Sequence, residues 1–311
     1  MDLRQLAALV AVADHGTFSA AARALHTVQS NVSTHVARLE KEVGAVLVDR
    51  ASGQLTEEGR AVVERARRIQ AELDALGDDM ASMGAVVAGI ARVGVIGTVG
   101  RWLVPRLVDA VHRDHPLVRP VIVDAVTSSL VPQVREGTVD LAVINLPTAD
   151  PDLAIEPLFS EDRVIVAPLS HPLATRPRVT LAEAAEHVLL LPPAGTAFRD
   201  ELDQASVEAG VQLRAQAEVD GMRLLASLAF QGFGAAIIPS GAAPSYVGGE
   251  WTTVAVDDLA PRSVGLVKRA RHLLSRPAQA TYDAVLDVVA EQLAVRAGIH
   301  PVEGGPQPAP R

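Results

Sequence analysis

Apolar residues recur at helical spacing over residues 3–12. They do so again at Phe18, Ala21, Ala22 and Leu25, where Thr17 is placed to cap a second helix. Residues 26–28 separate this helix from a third one, in the run "HTVQSNVSTHVARLE". Val28, Val32, Val36 and Leu39 make one face of a helix, with Thr27 as its expected cap. The other face carries Gln29, Ser30, Asn31, Ser33, Thr34 and Arg38. Most of these side chains both donate and accept, which suits the fixed donor and acceptor patterns of a DNA major groove. Helix, tight turn and polar-faced helix predict a helix-turn-helix. A solvated helix face is the bland alternative for Gln29, Ser30 and Ser33.

Leu47 and Val48, a small turn at residues 51–54, and Leu55 predict a two-stranded wing. Arg50 sits at its edge, within reach of a phosphate or in a surface ion pair. Thr56-Glu57-Glu58 then opens a long helix, a cap followed by acids in the first turn. In it Val62, Ala66, Ile69, Leu73, Leu76, Met80, Met83 and Val87 keep a heptad seam, which predicts pairing with a second copy of the chain. A symmetric dimer would present two polar helices to a two-fold operator.

From residue 91 the pattern alternates strand and helix: "ARVGVIGT", "RWLVPRLVDAVHRDH", "RPVIVDAVT", "LVPQVREG", "VDLAVINLP". The order β-α-β-α-β predicts a parallel sheet. A second set repeats it, from "HVLLLPPAGT" to "AAIIP". Two α/β lobes follow, with "SEDRVIVAPLSHPL" crossing to the second and "SVGLVKRARHLL" crossing back. The helix over residues 277–294 rejoins the first lobe. Residues 299–311, rich in Pro and Gly, read as a disordered tail. Ligands of open α/β sheets bind beyond the strand ends, where helix N-termini offer backbone N–H groups. Those positions are Thr98, Val99 and Gly100, Thr127 and Ser128, Asn145, Thr196 and Phe198, and Gly221. A small-molecule effector, including a carboxylate, fits such a cleft.

Composition changes this picture little. The 311 residues contain no cysteine, which removes disulfides, thiolate metal sites and thiol redox sensing. The net charge of −9 belongs to the second part: residues 1–70 hold nine basic and eight acidic side chains, the rest 19 and 29. The uncharged stretch 224–249 is interrupted by glycines and prolines, so it is no membrane span. A short first apolar run after Asp2 reads as an amphipathic helix and not a secretion signal, and a cytoplasmic location is expected. An enzyme on the same fold would need a nucleophile–base pair, and the strand ends supply none. His112 and His115 have a metal-like spacing, but at a helix end before Pro116 they read as solvated. No metal or cofactor is expected. A two-lobed transport receptor would leave the helix-turn-helix and the seam without a purpose.

The run "LRQLAALVAVADHGTFSAAARALHTVQSNVSTHVARLEKEVGAVLVDR…LTEEG" resembles the winged-helix module of LysR-type transcriptional regulators, with "SHPLA" and "GFGAAIIP" matching further on. The resemblance covers about residues 1–295. It implies an N-terminal all-α winged helix-turn-helix (1–58) and a long linker helix (57–88). A two-lobed α/β effector-binding domain of periplasmic-binding-protein type (89–298) follows. Its first lobe is residues 89–162 and 267–298, its second 163–266. The resemblance further implies a homodimer or homotetramer on double-stranded DNA, with an effector altering DNA bending or contact with RNA polymerase. Gln29, Ser30, Ser33, Thr34 and Arg38 fall at the family's recognition-helix positions. Thr17, Arg23 and Arg50 fall where the DNA backbone is held. Thr98, Thr127, Asn145 and Thr196 fall on loops lining the effector cleft. Val62, Ala66, Ile69, Leu73, Leu76 and Met80 carry dimerisation through the seam. Ser30 and Asn31 replace the family's common Pro-Ala pair, Val48 replaces Phe, and the wing has no basic residue between Arg50 and Arg60.

Overall fold

Asp2 caps the first helix, α1 (Leu3–His15), by accepting from the Gln5 amide at 2.9 Å, and Gln5 returns a bond to the Asp2 amide. Gly16, at φ +72°, closes it. This is a computed structural model, and it describes residues 1–82, 86–243 and 248–308. Thr17 caps α2 (Phe18–Ala24) through the Ala20 amide, as expected. The polar-faced helix, α3 (Gln29–Val43), departs from expectation at its start. Its cap is Val28, and Thr27 instead accepts from the Asn31 side chain at 3.0 Å. Val28 is exposed, because the left-handed His26 turns the chain before the buried face of Val32, Val36 and Leu39 begins.

Val48 and Leu55 pair as a single antiparallel bridge, the wing. Thr56 then caps the long helix α4 (Glu57–Ala81) through the Gly59 amide at 2.9 Å. Gly59 packs so close to the wing that a Cβ there would lie 2.0 Å from the Leu47 carbonyl oxygen. The seam is shorter than its spacing suggests. Ala66 is buried in the core of α1–α3, which withdraws it from a dimer face, and Val62 is half-buried against the same core. Ile69, Leu73, Leu76 and Met80 remain exposed, from 38% to 59%. The helix also stops before residue 88. The Ser82 hydroxyl bonds both the carbonyl and the amide of Ala88, which starts a strand there and puts Val87 outside the helix. Met83 lies outside the described residues.

Residues 1–80 form one compact unit, to which residues 135–138 also cluster; the remainder forms a second. In the second, β1 (Ala88–Val95), α5 (Gly97–Asp114), β2 (Leu117–Asp124), α6 (Thr127–Glu136) and β3 (Leu141–Leu146) follow the expected alternation. Then come β4 (Leu153–Glu161) and β5 (Arg163–Pro168), which part at Asp162, and β6 (Arg178–Val179). After α7 (Leu181–Ala185), β7 (Val188–Leu191), α8 (Ala197–Glu208), β8 (Arg214–Glu218), α9 (Met222–Phe230) and β9 (Ala236–Pro239) complete the repeat. The chain ends with β10 (Trp251–Val256), β11 (Arg262–Arg269), α10 (Arg276–Val295) and β12 (Ile299–His300).

Two six-stranded sheets result, ordered β12-β4-β11-β3-β1-β2 and β6-β10-β5-β9-β7-β8. Neither is purely parallel. β1 runs parallel to β2 and β3, but β11 is antiparallel to both β3 and β4. Two boundaries therefore move. The return crossing lies at residues 257–261 and not at 266, because β11 joins the first sheet from Arg262 onward. The chain is also ordered past 298. Ile299 is buried and pairs with Glu161 on the open edge of β4, and residues up to 308 are described. Helix α10 packs on α5 and β1 of the first lobe.

Candidate DNA-binding face and effector cleft

Burying Val32, Val36 and Leu39 turns the opposite side of α3 outward. Gln29, Ser30, Thr34 and Arg38 are exposed there and Ser33 is half-buried. Among the described residues the Gln29 and Arg38 side chains bond to none. Thr34 donates its hydroxyl to the Ser30 carbonyl at 2.8 Å. Thr17 is exposed but uses its hydroxyl as the α2 cap, and Arg23 is exposed in the last turn of α2.

Arg50 is not a free cation. It donates to Ser33 Oγ at 3.2 Å and to Glu40 Oε2 at 3.0 Å, and lies 4.8 Å from the Phe18 ring centre. The ion-pair alternative therefore describes its contacts, with Glu40 as partner. Glu40 also accepts from the Leu47 and Val48 amides at 2.9 and 3.2 Å, tying wing to helix. Burial pushes the Glu40 carboxyl up. The Leu47 amide, the Arg50 guanidinium and the Val48 amide more than offset it, leaving the pKa below its ordinary value.

In the second unit all four expected helix starts appear, at α5, α6, α8 and α9. Their side chains behave unequally. Because α5 begins at Gly97, Thr98 and Val99 point inward. Val99 is fully buried, and Thr98 accepts from Arg262 Nη2 at 2.6 Å. Neither side chain is open to a ligand. Gly100 packs tightly, since a Cβ would sit 3.3 Å from Val95. Thr127 is half-buried and accepts from the Asn145 amide at 3.1 Å, which keeps its proton available. The Asn145 Oδ1 is buried without a partner among the described residues. Ser128 is exposed. Thr196 donates to the Pro193 carbonyl, and Phe198 packs half-buried on the second lobe's core. Gly221, at φ +100°, opens α9. His112 lies in the last turn of α5 and His115 is its C-cap.

The arginines near these starts are engaged. Arg101 donates to the Ala242 carbonyl, Arg199 pairs with Asp203 and Glu218, and Arg223 of α9 pairs with Asp124 at the end of β2. The spacing of the sequence did not single out the buried group at the crossings. Glu161 is fully buried, accepting from Arg262 Nε at 2.7 Å and from the Gly241 amide at 2.9 Å. The sequence signals were a glutamate closing β4 and an arginine opening β11, with most of the second lobe between them.

A winged helix with an exposed polar helix face, followed by two α/β lobes, defines a DNA-binding regulator with a ligand-binding domain. Residues 3–60 match the family described as bacterial regulatory helix-turn-helix protein, lysR family, and residues 84–290 match LysR substrate binding domain. The chain belongs to the LysR family of bacterial transcriptional regulators, which bind DNA and small-molecule effectors and act as oligomers. It is 32% identical over 240 residues to a probable hydrogen peroxide-inducible genes activator of Streptomyces viridosporus, covering 76% of this chain and 77% of that one. With the hydrogen peroxide-inducible genes activator of Dickeya chrysanthemi it shares 29% over 246 residues, 78% and 81% of the two chains. A full-length OxyR variant from Pseudomonas aeruginosa superposes with a TM-score of 0.72 at 25% identity, covering 93% and 94%. The LysR-family regulator CbnR in complex with its target DNA shares the fold, at TM-score 0.67 and 23% identity over 93% and 100%. No helix among the described residues is long and apolar enough to cross a membrane.

Proposed function

We propose that this chain reads an operator through Gln29, Ser30, Ser33, Thr34 and Arg38, as a cytoplasmic homodimer or tetramer, and that an effector in the interlobe cleft sets its action on RNA polymerase. Thr17 and Arg23 hold the DNA backbone beside the groove. The exposed amide, hydroxyl and guanidinium face of α3 carries the reading. A merely solvated face would not concentrate side chains with these donor and acceptor patterns. Ile69, Leu73, Leu76 and Met80 hold the partner. The effector is a bound molecule, and with no cysteine in the chain it does not act by oxidising a thiol. Thr127, Ser128, Asn145 and the α6, α8 and α9 N-termini are the groups left to receive it, which suits a carboxylate. No catalytic step is required of any of them.

Selection of genomic fragments by the full-length chain tests this. Intergenic fragments with a two-fold repeat should be enriched. Gln29→Ala should weaken binding to them by about 1–3 kcal/mol while hardly changing binding to random duplex. Equal losses on both DNAs would remove Gln29 from base reading, and retention of every fragment alike would reject the operator.

A further inference from the structure

We propose that Arg50 sets the hydrogen-bond polarity of Ser33, so that the recognition helix offers the Ser33 hydroxyl to the major groove as a donor. This rests on the reading of α3 as the base-reading helix. Arg50 is held at three points: Nη1 on Ser33 Oγ at 3.2 Å, Nη2 on Glu40 Oε2 at 3.0 Å, and the Phe18 ring 4.8 Å away. Glu40 is in turn fixed by the Leu47 and Val48 amides, so the guanidinium is anchored to the wing's own backbone.

A guanidinium has five N–H donors and no acceptor. At this contact Ser33 can only accept. One lone pair is taken, and the O–H is polarised by the cation and turns away from it. The adjacent positive charge also makes the remaining lone pair a poorer acceptor. The next residue is set the other way. Thr34 gives its proton to the Ser30 carbonyl at 2.8 Å, so it meets the groove with lone pairs and a methyl group. Two neighbouring hydroxyls thus present opposite polarity. Their residue types alone, each able to donate and accept, leave that undetermined.

The consequence is a sign in base preference. Guanine, adenine and thymine each carry a major-groove acceptor, whereas cytosine offers only its amino donor. Arg50 is then a positioning residue: it disfavours cytosine at the base Ser33 meets without touching that base.

The test is selection from a randomised duplex library by the full-length chain and by Ser33→Ala, Arg50→Ala and Arg50→Lys. In the unsubstituted chain one position per half-site should carry cytosine depleted about threefold to tenfold, the worth of one hydrogen bond. Ser33→Ala should flatten that position, and Arg50→Ala should flatten the same one. Arg50→Lys keeps the charge but not the fork that spans Ser33 and Glu40, so it should flatten that position too. A phosphate contact alone would weaken all sequences and leave the preferences as they were; that result overturns the proposal. So does a position flattened by Ser33→Ala at which cytosine was enriched, or no change on Ser33→Ala. If the unsubstituted chain enriches no sequence, the operator reading itself fails, and the two failures are told apart.

Discussion

Arg262 donates from Nε to Glu161 Oε1 at 2.7 Å, joining the first residue of β11 to the last of β4. These are the two points where the chain passes between the lobes. Glu161 is fully buried and Arg262 is 6% exposed. Their remaining capacity is spent on the lobes themselves, Arg262 on Thr98 of α5 and Glu161 on the Gly241 amide beyond β9. One ion pair thus ties both crossings to a helix start of the first lobe and to a turn of the second. A Cβ on Gly241 would come 2.6 Å from Glu161 Oε2, so any larger residue there would push the carboxylate off its partners.

Arg262→Ala strands a buried carboxylate. Breaking such a pair from one side costs about 3–5 kcal/mol, whereas replacing both partners by apolar groups costs far less. Trp102 and Trp251, the two tryptophans of the chain, both lie in the second unit, so their fluorescence follows its unfolding. The urea midpoint of Arg262→Ala should fall steeply, and Glu161→Leu/Arg262→Met should recover much of the loss. A double variant no better than the single one would show that the pair holds the crossings by specific geometry and not by charge neutralisation.

Glu40 gives a pH dependence with a definite sign. Its pKa in the folded chain lies below the ordinary 4.5, so the unfolded chain binds its proton first as pH falls. The stability it contributes is therefore complete at neutral pH. It is lost below about 4.5, as pH drops through the depressed folded value. The Leu47 and Val48 amides, which bond Glu40 directly, should lose protection relative to their intrinsic exchange rates in that window. Glu40→Gln should lower their protection at neutral pH and remove its further loss in acid. Protection unchanged with pH in the unsubstituted chain would mean the wing is held without this carboxylate.

The exposed polar face of α3 was legible because a helix with one buried stripe declares its other side. The same logic found the caps of α2 and α4 and the starts of α5, α6, α8 and α9. It misplaced Val28, since spacing alone does not reveal that the chain is still turning at a left-handed His26. It over-extended the heptad seam, because Ala66 satisfies the spacing while packing on its own domain. β4 and β10 carry half-exposed positions and no clean alternation, so nothing marked them as strands. Without β4 the antiparallel place of β11 was invisible, and the lobe boundary slipped with it. The Glu161–Arg262 pair could not be found from spacing, because the partners lie 101 residues apart.

Leu73 and Leu76 are the central residues of the part of α4 that stays exposed, at 44% and 59%. Lysine at both would set four like charges facing one another in a symmetric pair. Sedimentation of the double variant Leu73→Lys/Leu76→Lys should show a monomer or sharply weakened association, with operator affinity lost alongside. The equivalent change at Ala66 should unfold the winged helix instead, since Ala66 is a core residue. A double variant that stays dimeric would place the assembly contact away from α4.

Thr127 tests how the cleft is built. Its Oγ1 accepts from the Asn145 amide at 3.1 Å, linking the first residue of α6 to β3. Valine keeps the shape and removes the acceptor, leaving an amide in a half-buried site unpaired, at a cost of about 1–3 kcal/mol. Serine keeps the oxygen and loses only a methyl group. Thr127→Val should therefore lower the urea midpoint followed by tryptophan fluorescence, and Thr127→Ser should leave it nearly unchanged. The hydroxyl proton is not used in this bond, so it is the part left for an effector. A thermal-shift screen of small carboxylates should then find ligands that stabilise the unsubstituted chain and Thr127→Ser but not Thr127→Val. Equal shifts in all three would make the hydroxyl a structural link alone and move the search to Ser128 and Asn145. An unchanged midpoint in Thr127→Val would mean that the Asn145 amide bond contributes nothing.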